Sequence, residues 1–158
     1  HDALRGPDLA DLALDFVLID CPPSLSLLTV NALVAAHAVL VPLQSEFFAL
    51  EGLSQLMLTI REVRQTANPG LRIEGVLLTM ADSRNRLSQQ VEADARRTLG
   101  DLVFNTVVPR NVRVSEAPSY AMAVTDYDPT SRGAEAYSAL AAELLARHPL
   151  KNETRIEA

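Results

Sequence analysis

Apolar runs and segments of helical period alternate along this chain, with proline, glycine or asparagine breaking each join. The run FVLID (16–20) is apolar up to its acid, which predicts a strand buried on both faces of a sheet. Pro22 and Pro23 cannot extend that strand, so SLSLLTVNALVAA (24–36) is expected as a helix with Ser24 as its N-cap. AVLVPLQ (38–44) predicts the second strand, with Pro42 stopping ladder pairing near its end. A long helix then places Leu50, Leu53, Leu56, Met57, Ile60 and Val63 on one side until Asn68-Pro69-Gly70 ends it. IEGVLLTM (73–80) is the third predicted strand, followed by a helix with Leu87, Val91, Ala95 and Leu99 inward, stopped by Gly100. DLVFNTVVP (101–109) is the fourth strand, and Ser131 to His148 the last helix, with Tyr137, Leu140, Leu144 and Leu145 inward. Strands joined through helices of this length run mostly parallel, so the expected fold is an α/β sheet flanked by helices.

At 158 residues the chain is long enough for one domain with a sizeable core. The expected division is one domain over 1–148 and a polar tail, PLKNETRIEA, over 149–158. No apolar run reaches the length of a bilayer span, which predicts a soluble chain with no membrane partner. Cys21 is the only cysteine, and His1, His37 and His148 are scattered, so a disulfide framework or a His/Cys metal site is not expected. The net charge of −6 argues against a nucleic-acid binder as a whole, yet arginines cluster in DSRNRL, ARR and PRNVR, leaving room for a local basic face.

In an open α/β sheet, ligands gather at the carboxyl ends of the strands, which puts Asp20 where a ligand would sit. Its type and place suit two roles: an acid holding magnesium near nucleotide phosphates, or a cap for the following turn. A phosphatase-like use of Cys21 fails for want of an arginine between Pro22 and Val30, and a GxSxG elbow is absent.

DFVLIDCPPSLSLLTVNAL, EFFALEGLSQL, IEGVLLTM, VVPRNVRVSEAPS and YDPTSRGAEAY closely resemble, in order and spacing, the carboxyl-terminal two-thirds of the ParA/Soj chromosome- and plasmid-partitioning ATPases. The likeness runs from about Asp15 to Leu145. It implies a P-loop NTPase fold of ParA/MinD type, and an ATP- and magnesium-dependent homodimer that binds DNA without sequence preference. It also implies a ParB-type partner that stimulates hydrolysis, in a cytoplasmic, nucleoid-associated setting. By the same resemblance Asp20 takes the catalytic magnesium-holding role, and Cys21 to Ser24 form the second switch. Met80, Pro109 and Asn111 enclose the adenine base, and Arg84 and Arg113 contribute to the DNA-binding face, with Arg86 and Arg110 as further members. Phe47 and Phe48 are expected to pack, near the dimer or switch region.

The sequence departs from the family at the phosphate end. A cradle of type GxxxxGK[ST] wraps phosphates with backbone N–H groups, and the only lysine present is Lys151. The chain therefore reads as a ParA-type protein lacking its N-terminal P-loop region, and no ATP hydrolysis is expected from these residues alone. Two rivals remain: a MinD-like division regulator, whose amphipathic membrane helix PLKNETRIEA does not resemble, and a non-catalytic DNA-binding or interaction module.

Overall fold

The computed structural model describes residues 14–22, 24, 26–46 and 49–148. Its elements in chain order are α1 (Leu27–Ala35), β1 (Ala38–Gln44), α2 (Ala49–Thr66), β2 (Arg72–Ala81), α3 (Arg86–Leu99), β3 (Val103–Pro109), α4 (Val112–Glu116), α5 (Val124–Tyr127) and α6 (Arg132–Arg147). Short 3-10 turns, Gly100–Leu102 and Ala117–Tyr120, precede β3 and follow α4. The strands form one sheet in the order β1-β2-β3. At the start of β1, His37 O accepts from Arg72 N (3.0 Å), and at its end Ser45 N donates to Thr79 O (3.1 Å), so β1 and β2 run the same way. β2 and β3 are likewise parallel. Three of the expected strands and their helical crossovers are therefore present.

The first expected strand is not. Leu14 to Asp20 form no strand, and Phe16, Val17, Leu18 and Ile19 are 40%, 50%, 87% and 43% exposed. Backbone groups enter a sheet only where a neighbouring strand meets them, and no described strand pairs with this run. Its apolar pattern specifies a buried strand, but no described strand pairs with it and its apolar side chains stay exposed. The N-cap shifts as well: α1 starts behind Ser26 rather than Ser24, whose carbonyl instead accepts from Thr29 Oγ1 at 2.7 Å.

Contacts divide the chain into two compact units, His1–Val39 with Leu53–Glu74, and Leu40–Gly52 with Gly75–Ala158. In the first, Leu33, Ile60, Val63 and Leu71 are buried together. Asn68 fastens α1 there: its Nδ2 donates to Leu33 O (3.0 Å) and Ala36 O (2.8 Å), satisfying carbonyls that a helix end leaves open.

In the second unit, α6 lays Ala136, Leu140 and Leu144 against Leu77, Phe104 and Val108. Four-residue spacing keeps these three on one stripe, which leaves Tyr137 (38%) and Leu145 (42%) exposed rather than inward as expected. On α3 the buried stripe is Ser88, Val91 and Ala95, so Leu87 faces outward. Ser88 tolerates burial because its hydroxyl accepts from Asp82 N at 3.1 Å. Gly75 sits against Phe104, where a Cβ would come 2.9 Å from Leu102 O. Beyond β3, Glu143 of α6 accepts from Asn105 N and Thr106 N, both at 2.9 Å, occupying donors on that strand's outer edge.

Candidate functional site

At the carboxyl ends of β2 and β3, within the second unit, the structure brings Met80, Pro109 and Asn111 onto neighbouring positions. Registered pairs run Leu78 with Val107 and Ala81 with Pro109, so β2 holds one residue more than β3 between them. The extra residue makes a bulge, and bulges re-aim side chains at strand ends. Met80 lies inside it at φ 55°, a left-handed conformation that costs a side-chain-bearing residue about 1–2 kcal/mol. Its side chain is partly open to solvent, at 38%. Arg110 N donates to Ala81 O at 3.0 Å and fixes the turn out of β3 against the bulge.

Asn111 is the N-cap of α4, its Oδ1 accepting from Arg113 N at 2.8 Å. Its oxygen is thus engaged in the cap, which leaves the amide nitrogen and the second lone pair of that oxygen for a ligand. Gly133, in the first turn of α6, allows this packing, since a Cβ there would overlap Val114 and come 3.3 Å from Asn111 Cγ.

Arg84 and Arg113 occupy the loop after β2 and helix α4 of the same unit. Each meets carboxylates. Arg84 Nε lies 3.2 Å from Asp82 Oδ1, and Arg84 N donates to that same oxygen at 3.0 Å. The side-chain bond, then the backbone bond, lowers the Asp82 pKa, and the side-chain bond with the Asp82 charge raises that of Arg84. Arg113 Nη1 lies 2.8 Å from Glu116 Oε2, and its Nε 3.2 Å from Asp128 Oδ2. The Glu116 bond, then its charge, raises the Arg113 pKa. Arg110 pairs with Glu46 at 3.4 Å across two exposed side chains. Arg86, exposed on α3, makes no ion pair among the described residues.

Sequence reasoning missed these acids. Glu116 was findable, since a carboxylate three residues after an arginine on a helix is its neighbour. Asp82 carried the signal of an acid opening a turn. Asp128 had none, because a separate helix brings it to Arg113.

Asp20 belongs to the first unit and is exposed beside exposed Cys21. Among the described residues no group of three or more His, Cys, Asp or Glu could hold a metal ion, and no helix is long and apolar enough to cross a membrane. Phe47, Phe48 and the tail 149–158 lie outside the described residues, as does Pro23 of the proposed switch. Met80, Pro109 and Asn111 offer an apolar face and an amide, the chemistry that would seat a base. Asp20, in the other unit, is a single exposed acid, and the sequence holds no GxxxxGK[ST] cradle for phosphates.

An AAA domain family model matches residues 9–73. The chain is 61% identical over 132 residues to the chromosome partitioning protein ParA of Caulobacter vibrioides, covering 84% of this chain and 49% of that protein. It is 54% identical over 139 residues to the chromosome-partitioning ATPase Soj of Thermus thermophilus, covering 88% and 56%. The chain thus spans about half the length of the curated relatives it matches. Among solved structures, cobyrinic acid a,c-diamide synthase from Mycobacterium smegmatis, with bound ADP and magnesium, aligns at 40% identity and TM-score 0.67, covering 88% of this chain and 50% of that one. The cell division ATPase MinD of Pyrococcus furiosus aligns at TM-score 0.69 and 24% identity, covering 84% and 52%, a likeness of fold alone.

Proposed function

This chain belongs to the ParA/Soj family of chromosome-partitioning proteins, and from that premise we propose that it carries the second switch, the base pocket and the DNA face of a partition ATPase. In this reading the complete protein binds magnesium ATP, dimerises, holds DNA without sequence preference, and is released by a ParB-type partner in the cytoplasm, over the nucleoid. Residues 1–148 belong to one such ATPase domain.

The observation that carries the reading is the bulge at Met80. A methionine kept at φ 55° costs stability, and such strain gathers at functional positions. Here it falls on a residue that the family resemblance assigns to the adenine base, one position before Ala81, which is in register with Pro109, a residue of the same assignment. Asp20 would hold the magnesium, and Arg84 and Arg113 would neutralise DNA phosphates. When bound, the nucleotide supplies the phosphoryl group and the metal its charge. This chain's part is to seat the base and present the acid.

The test is nucleotide titration of the complete protein. Met80→Gly frees the backbone and deletes the side chain, so ATP and ADP affinities should fall together, by about 5- to 30-fold for a lost apolar contact of about 1–2 kcal/mol. Unchanged affinity for both would remove Met80, and with it the base pocket, from the account.

A further inference from the structure

We propose that Glu116 and Asp128 form an electrostatic clamp on Arg113, so that DNA affinity is set by competition between these two carboxylates and the phosphate backbone. The inference rests on the reading of Arg113 as part of the DNA face.

The geometry is specific. Glu116 Oε2 takes Nη1 at 2.8 Å and Asp128 Oδ2 takes Nε at 3.2 Å, so two of the three guanidinium nitrogens are engaged. One cation against two anions leaves the cluster at −1 (+1 − 2). An approaching phosphate therefore meets net repulsion at the residue expected to attract it. Tyr127 supports the arrangement: its phenol donates to Glu116 Oε2 at 3.4 Å, while the backbone N of Arg113 is held by Asn111. Thr130 Oγ1 donates to Asp128 Oδ1 at 3.0 Å, leaving Oδ2 for the arginine.

The two acids come from different elements, α4 and the turn after α5. They converge because Val114, Ala117, Val124, Tyr127 and Ala134 pack into one small core. The Arg113 side chain is still 51% exposed, and exposed pairs are weak, so phosphates can displace the clamp without unfolding anything. The DNA face is thereby tuned down rather than abolished.

The test measures binding of a labelled random-sequence duplex to the complete protein with magnesium ATP, across a salt series. Glu116→Gln with Asp128→Asn keeps size and hydrogen-bonding oxygens while removing both charges. Affinity should tighten about 3- to 10-fold, the scale of two exposed pairs, and the salt slope should steepen by about one ion. Asp126→Asn, an exposed acid of α5 outside the clamp, controls for net charge and should change affinity far less. In an Arg113→Ala background the double substitution should gain nothing.

If Arg113→Ala weakens DNA binding but the double variant matches wild type, the clamp is wrong and the DNA face stands. If Arg113→Ala has no effect, the DNA-face reading falls and takes the clamp with it. A gain of equal size with or without Arg113 would be a bulk charge effect and would also overturn the clamp.

Discussion

Three residues show how single positions set the local structure. Met80 at φ 55° reverses an ordinary preference, because glycine in a strand is normally less stable than alanine. Here Met80→Gly should be more stable than Met80→Ala by about 1 kcal/mol in urea unfolding, since alanine keeps the strain and glycine releases it. The opposite order would mean that the left-handed conformation is not held. Gly133→Ala should cost about 1–3 kcal/mol, because the added carbon overlaps Val114 and crowds the Asn111 cap.

Glu143 carries the strongest titration effect. Burial pushes its carboxyl up, but bonds from Asn105 N, Thr106 N, Thr106 Oγ1 and Arg147 outweigh that and hold it at about 2. A folded value below the unfolded 4.5 gives stability that is complete above pH 4.5 and lost as pH falls toward 2. This contribution is about 3 kcal/mol at most. Glu143→Gln should lower stability at neutral pH and flatten this part of the acid unfolding curve. An acid curve identical to wild type would contradict the edge clamp. None of these three was legible as such in the sequence. A positive φ at methionine, a helix glycine chosen for a neighbour's methyl, and a carboxylate reaching across 37 positions to Thr106 all depend on tertiary packing.

At the scale of elements the sequence was more informative. β1 has the limits expected from its apolar run, and β2 and α2 lie within a residue or so of theirs, because breakers such as Asn68-Pro69-Gly70 act locally. Helix faces were legible to within one position: the period identified Leu140 and Leu144, and misjudged Tyr137, Leu145 and Leu87, which lie at stripe edges. The run from Leu14 to Asp20 failed for a different reason, since a strand's pattern declares what it needs and not whether a neighbour is there. The exposed run should make the 158-residue chain self-associate. Leu18→Lys, at a site 87% exposed, should leave unfolding free energy within about 0.5 kcal/mol while reducing association in sedimentation. Leu78→Ala, at a fully buried site, should cost about 2–5 kcal/mol. Equal costs at the two sites would contradict the described exposure.

For the whole molecule, the net charge of −6 and the ion-paired arginines point the same way: both oppose the electrostatic attraction that the proposed DNA face requires. Composition alone could not show that the candidate arginines are paired, whereas five motifs in register carried the family. Chemistry at the phosphate end is the part these residues do not supply, since one acid without a cradle cannot position a phosphoryl group. In the proposed function Asp20 stands beside the metal of a bound nucleotide that gates DNA binding. The most direct measurement compares phosphate release and ATP-dependent DNA retention by the complete protein and its Asp20→Ala variant, at saturating magnesium ATP. Hydrolysis should drop by about two or more orders of magnitude, the scale of a lost metal-positioning acid, and ATP should no longer cycle the variant on and off DNA. Wild-type turnover and wild-type cycling in the variant would contradict this role of Asp20.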